Sequence, residues 1–188
     1  MTTVWIIIAL VVAVALAVVA IYNGLVRGRN MVNEAWSGID VQLKRRHDLV
    51  PNLVSAVKQY ATHERSIFEE VSEARARSIA VTGDVAAQAK AENMLSGALR
   101  SLFAVAEAYP DLKASDNFRQ LQENLDKLEE EIQMARRYYN GTAREQNNRV
   151  MQFPSNIVAG MFHFAQVVYF ELDNPAEKAV PVVGDMLQ

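Results

Sequence analysis

The chain contains no cysteine and only eight glycines and five prolines in 188 residues. Without thiols there is no disulfide framework, no cysteine nucleophile and no thiolate-bound metal. The glycines stand singly, so a phosphate-cradling loop or dinucleotide fingerprint is missing too. Strand-type alternation of useful length is also absent. Nineteen Lys and Arg against 22 Asp and Glu give a net charge of −3, and no long basic tract forms, which argues against a nucleic-acid partner.

What the sequence does have is a run from Val4 to Tyr22 without a charged residue, built almost wholly of Ile, Val, Leu and Ala. At 1.5 Å per residue it reaches about 28 Å, close to the roughly 30 Å hydrocarbon core of a bilayer. No Lys or Arg precedes the run and its length exceeds that of a signal-peptide core, so it reads as an uncleaved anchor. Membrane lipid is thus the first expected partner. Trp5 and Tyr22 bracket the run, and Arg27 and Arg29 follow it closely. These four are the expected membrane-interface residues, and the basic pair places the rest of the chain in the cytoplasm by the positive-inside rule.

Beyond the anchor the apolar spacing is that of heptads. Trp36, Ile39, Leu43, Arg46, Val50, Leu53, Val57 and Tyr60 alternate spacings of three and four, and Ile67, Val71, Ala74, Ser78 and Val81 resume the pattern. Phase is kept across Pro51, which a kinked continuous helix explains most simply; a restart capped by Asp48 is the alternative. If continuous from Gly28 to Val81, this helix is about 80 Å long. Thr82-Gly83-Asp84 reads as a stop and a new N-cap. A second helix is expected from Val85 to Ala108, then a loop from Asp111 to Ala114. A third, capped by Ser115, carries Phe118, Leu121, Leu125, Leu128, Ile132, Ala135, Tyr139 and Thr142 on one face and ends at Phe153-Pro154. Within it Asn140-Gly141 reads as a weak spot. The expected fold is all-α: a single N-terminal transmembrane helix, then an antiparallel bundle of long heptad-patterned helices. Its divisions are a short tail at 1–3, the anchor at 4–22, the bundle at 23–172 and a poorly ordered C-terminal tail at 173–188.

Catalytic, cofactor and metal sites fail on particular residues. His63-Glu64 begins like a zinc-protease helix, but Ile67 stands where the second ligand belongs. His47 beside Asp48 reads as a surface charge pair, His163 as a satisfied interface histidine, and Glu129, Glu130 and Glu131 as a solvated face. Arg46 is the candidate for setting helix register, because a guanidinium at a heptad core position needs either a paired acid or a stem that reaches solvent; both are open. The segment from Ser155 to Leu172 is treated as a helix with a broad apolar face. Ile157, Val158, Met161, Phe162, Phe164, Val168 and Tyr169 form the candidate oligomer or partner face. Lys and Arg are missing from it, which argues against membrane-surface binding by that segment.

The stretches NGLVRGRNMVNEAWSGIDVQLKRRHDLVPNLVSAVKQYATHE, LFAVAEAYPDLKASDNFRQLQENLDKLEEEIQMARRYYN and FPSNIVAGMFHF together resemble the LemA family of bacterial membrane-anchored helical proteins. The resemblance implies one N-terminal transmembrane helix, a coiled-coil-like bundle and a location at the bacterial inner membrane, and it supplies no catalytic residues, because the family has no established enzymatic activity. Gly141, where the family more often has an acidic residue, and a longer tail, KAVPVVGDMLQ, are mild departures. The expected function is a non-enzymatic scaffold, homo-oligomeric, that organises a membrane patch or membrane protein complex. The competing class is a regulatory or adaptor subunit that holds a membrane protein partner, such as an envelope peptidase.

Overall fold

The computed structural model describes residues 1–172, and within them there are six helices and no strand. The expectation of a disordered tail at 173–188 lies outside the described residues. The first helix, α1, is Thr2–Lys58; it takes in the apolar run and most of the first heptad stretch without a break, starting ahead of the expected Val4. The most apolar stretch is wholly uncovered by protein, and α1 is the one described helix long and apolar enough to cross a membrane. Pro51 lies inside α1. Lacking an N–H, it leaves the carbonyl four residues back, that of His47, without its helical donor, and Arg75 Nε donates to that oxygen at 2.6 Å. The continuous-helix reading of Pro51 therefore holds, with the orphaned carbonyl used to attach the next helix.

The continuity expected from Gly28 to Val81 does not hold. A turn at 59–64 separates α1 from α2, Arg65–Ala80, which folds back along it. Gly83 at φ +79 and Asp84, whose carboxylate accepts from the amides of Ala86 and Ala87 at 2.9 and 3.0 Å, then open α3, Val85–Ala106. The loop expected after it contains a short helix, α4, Pro110–Ala114, with proline in the first turn, where its missing N–H has no helical partner to lose. Next, α5 is Asp116–Met151 and runs unbroken through Asn140-Gly141. It returns antiparallel to α1, with Glu131 near Arg45, Tyr139 against Trp36 and Arg149 reaching Gly24.

Three apolar clusters follow one another along this pair. The distal cluster gathers Val50, Leu53 and Val57 of α1 with Val71, Leu95, Leu99, Leu102, Phe118 and Leu125 from the other helices. A middle cluster joins Val32, Ile39 and Leu43 to Leu128, Ile132, Tyr139 and Phe170. At the base, Leu25 packs against Val158 and Ala159 of α6, Ser155–Met161, with Val18, Ile21 and Tyr22 alongside.

The helix expected to extend to Leu172 stops at Met161. Phe164 N–H bonds the Ala159 carbonyl at 2.9 Å and His163 N–H bonds that of Gly160 at 3.4 Å, with His163 at φ 56. This is a Schellman ending in which a histidine, not the usual glycine, takes the left-handed position. Beyond it the chain is an extended strap over 164–172.

Candidate functional site: a buried ionic knot and a strap held by its backbone

Arg46 is 0% exposed, so its guanidinium does not reach solvent. Its Nη1 donates to Glu129 Oε1 at 2.7 Å and Ser96 Oγ at 3.2 Å; its Nη2 donates to the Glu92 carboxylate and, at 3.2 Å, to the Glu92 carbonyl. One side chain of α1 thereby ties α3 to α5. Next to it, His47 is buried instead of lying in a surface pair with Asp48: its Nε2 stands 2.9 Å from both Ser78 Oγ and Glu92 Oε1. Ser78 Oγ donates to the same Oε1, and Gln88 Nε2 donates to it at 2.8 Å.

Glu92 is thus the hub for donors from three helices, α1, α2 and its own α3. Burial by itself raises its pKa, but the hydrogen bond from His47, the Arg46 guanidinium and the Ser78 hydroxyl outweigh burial and bring it down from 4.5 to about 2. A serine, a histidine and a glutamate converging this way invite comparison with a hydrolytic triad. The geometry is different: in a triad the histidine uses opposite nitrogens for serine and acid, whereas here a single nitrogen faces both, and the acid binds the serine directly. Ser78 is also sealed from solvent. The arrangement holds helices together.

Glu129 corrects the expectation of a solvated Glu129–Glu131 face, since it serves as Arg46's second acid; Glu131 pairs with Arg45 at 3.4 Å. Among the described residues no three His, Asp or Glu side chains are grouped to hold a metal.

The second constellation joins α5 to the strap. Asn147 donates to the Val167 carbonyl at 2.9 Å and accepts from the Val167 amide at 2.7 Å; Asn140 does the same with Phe170 at 3.1 and 2.9 Å. Each carboxamide matches a peptide group as a neighbouring strand would. Tyr139 hydroxyl donates to the Val168 carbonyl at 2.8 Å, and Arg136 Nη1 to that of Leu172 at 3.2 Å. Burial of Tyr139 raises its phenol pKa, so the hydroxyl stays a donor. The spacing fits because eleven helical residues from Arg136 to Asn147 rise about 16 Å, as do five extended residues from Val167 to Leu172. Phe170 is fully buried and meets the Trp36 ring edge-on at 5.5 Å.

The residues of the expected apolar partner face are thereby dispersed. Val158 is buried against Leu25, and Phe164 is half-buried beside Tyr22 with the Arg29 guanidinium 5.3 Å over its ring. Ile157, Met161 and Phe162 are exposed on or just after α6, while Val168 and Tyr169 are exposed on the strap. His163, expected to be a satisfied interface residue, is exposed. Of the membrane-interface set, Tyr22 packs on Phe162 and Phe164 with ring centroids 4.7 and 5.8 Å away, and Trp5 is exposed. Arg27 Nε donates to the Asn23 carbonyl at 3.3 Å.

Residues 35–184 match the family model for the LemA family. Magnetosome protein MamQ 2 of Paramagnetospirillum magneticum is 27% identical over 192 residues, covering 89% of this chain and 70% of its own. Magnetosome protein MamQ of Magnetospirillum gryphiswaldense is 26% identical over 82% of this chain and 66% of its own. Protein LemA of Metamycoplasma hominis is 26% identical over 79% of this chain and 68% of its own. These relatives and the apolar first part of α1 support a membrane location, and with a family match that spans most of its length the chain belongs to the LemA family.

Proposed function

We propose that this chain is a non-enzymatic scaffold that organises a membrane patch or a membrane protein complex by self-association, with its bundle on the cytoplasmic side. The observation that carries this reading is α1 itself, which joins the apolar run to the distal core in one helix of about 85 Å. A headpiece built on such a helix is joined to its anchor without a hinge and stands at a set height over the bilayer, as a spacer or lattice element needs. Arg46 sets the register of α1 against α3 and α5, because any slide of one turn removes both of its acids. The side chains with catalytic potential, His47, Ser78 and Glu92, are used up in holding the bundle together. Relatives named as magnetosome proteins are in keeping with a membrane-associated, non-enzymatic protein.

Outside the apolar run, Met134 and Tyr138 of α5 and Val168 and Tyr169 of the strap are exposed and offer lateral contacts. Confinement to a plane raises local concentration, so weak contacts between copies suffice. Cross-linking in native membranes followed by mass measurement of the detergent-extracted complex tests the reading. A ladder of multiples of this chain supports a scaffold, whereas one foreign partner at fixed ratio points to a regulatory or adaptor subunit. Single cysteines at Thr2 and Glu123, in a chain with no native thiol, report sidedness. Labelling of Glu123→Cys by an impermeant maleimide in intact spheroplasts, with Thr2→Cys protected, reverses the orientation.

A further inference from the structure

The segment between Arg149 and Glu171 contains no Asp, Glu, Lys or Arg, in a chain that is 22% charged. It includes the end of α5, all of α6 and most of the strap. Its first part packs against Val18, Ile21, Tyr22 and Leu25, the final turns of the apolar run and the turn after it. Phe162 and Phe164 clasp Tyr22. Val18 to Tyr22 occupies only about 6 Å of helix, so α6 is held within a narrow slab at the end of the apolar run.

Several large apolar side chains in this slab have no protein cover. Phe153 is 80% exposed, Met161 65%, Ile157 56% and Met151 52%. Ile157 and Met161 stand four residues apart on α6 and form one stripe, Phe153 lies in the turn that leads into the helix, and Val158 and Ala159 face Leu25. Elsewhere on a water-exposed surface such a cluster is unfavourable, at roughly 25 cal/mol per Å² of apolar area left in water. Basic groups are present at the same height on the neighbouring helices: Arg27 and Arg29 follow Tyr22 within about two turns, and Arg149 donates to the Gly24 carbonyl at 2.9 Å. The absence of Lys and Arg from α6 itself, which counted against a membrane role when the segment was read alone, is made good by these three arginines.

We infer that α6, with Phe153 before it and Phe162 after it, is a second membrane contact: a short interfacial element whose Ile157–Met161 stripe, together with the exposed Phe153 of the preceding turn, sits among lipid acyl chains just beneath the headgroups, in the leaflet where α1 leaves the bilayer. The inference rests on Val4–Tyr22 being the membrane span. Its occupant is the bilayer, because the same contacts that position α6 fix its depth relative to that span. Phe153, Ile157 and Met161 enter lipid, and Arg27, Arg29 and Arg149 meet the phosphates above them. The headpiece then stands on two feet, and rotation about the α1 axis is restricted.

The test uses full-length protein with single cysteines carrying an environment-sensitive fluorophore, reconstituted in phosphatidylcholine–phosphatidylglycerol vesicles whose acyl chains are brominated at shallow or deep positions. Label sites are Ile157 and Phe153, with Val11 as the mid-span control and Glu123 on α5 as the water control. At Ile157 and Phe153 shallow bromines should quench more than deep ones, to within about twofold of the strongest quenching seen at Val11, with Glu123 unquenched. Unquenched labels at 153 and 157 beside a quenched Val11 overturn the inference and leave the span intact. A label at 157 that is shielded from water yet unquenched also overturns it and assigns the stripe to a contact between copies. If Val11 too is unquenched, the span reading fails and takes the inference with it.

Discussion

Between Val50 and Val57, α1 is enclosed by α2, α3 and α5, whereas between Leu25 and Ile39 its neighbours are α5, α6, an extended strap and the first turns of α3 at Val85 and Ala89. The upper region is closed by packed side chains and fastened at its lower edge by ions. In the lower region one extended segment stands where α2 and most of α3 stand above, and it is fastened through its peptide groups. A helix offers a neighbour only side chains, since its backbone is internally bonded. An extended chain outside a sheet has every N–H and C=O unmet, and these need partners. Asn140 and Asn147 supply them. The comparison shows how one long helix pair accommodates either kind of third wall, provided α5 changes its facing residues from Phe118 and Leu125 to Asn140 and Asn147.

Four outcomes sharpen or break this contrast, and the largest belongs to the ionic fastening. Arg46→Ala leaves Glu92 buried without its main counter-charge and should cost about 3–5 kcal/mol of stability for the detergent-solubilised protein. The double change Arg46→Met with Glu92→Leu should recover much of that loss; if it does not, the knot is more than a charge pair. Leu125→Ala, in the distal seam, comes next at about 2–4 kcal/mol, against less than about 0.5 for exposed Glu123→Ala. Equal melting shifts for those two variants would remove Leu125 from the core.

The pH dependence separates the regions as well. Glu92 is depressed from 4.5 to about 2, so its contribution is fully present above about 4.5 and is lost as pH falls through that window toward 2. The shift corresponds to roughly 3 kcal/mol. Denaturant titrations of wild type and Glu92→Gln should therefore converge near pH 2 and diverge above about pH 5. Amide exchange at Val167 and Phe170 should show no matching step across that range, because their partners on α5, Asn147 and Asn140, do not titrate. The smallest effect is local. Asn140→Ala removes two bonds to Phe170 and should cost about 1–2 kcal/mol. The exchange it speeds should be confined to the strap, with Leu95 to Leu102 of α3 unchanged. Spread of the effect to α3 would mean that the two regions are one cooperative unit.

Heptad periodicity made most of the helical architecture legible, since Ile39, Leu43, Val50, Leu53, Val57, Leu125, Leu128 and Ile132 are all buried as their spacing requires. Arg46 was legible as an anomaly in that spacing, and Asp84 as a cap. The partners were not: nothing local in Glu92, Ser78 or Glu129 announces that a bundle will bring them to one guanidinium. The break at 59–64 escaped because Ile67 and Val71 keep phase by chance across a turn. Ser155 to Leu172 departs from the expected helix for a different reason. Its apolar residues suit a helix wheel, and the ending at His163 lacks the glycine that usually marks one. The signal that stood in the sequence was on α5, where Asn140 and Asn147 lie seven residues apart on a heptad helix. A carboxamide at such a spacing is a reader of backbone.

If Val4–Tyr22 is the membrane span proposed above, the unbroken run of α1 through Tyr22 makes the headpiece a lever arm with the bilayer at its fulcrum. From Tyr22 to Lys58 the arm is about 54 Å long, so a change of about 10° in the tilt of the span sweeps the far end sideways by about 9 Å. Tilt is how a helix of fixed apolar length adjusts to a thinner membrane. Local bilayer thickness is thus converted, without a hinge, into the lateral position of Lys58 and the turn beyond it.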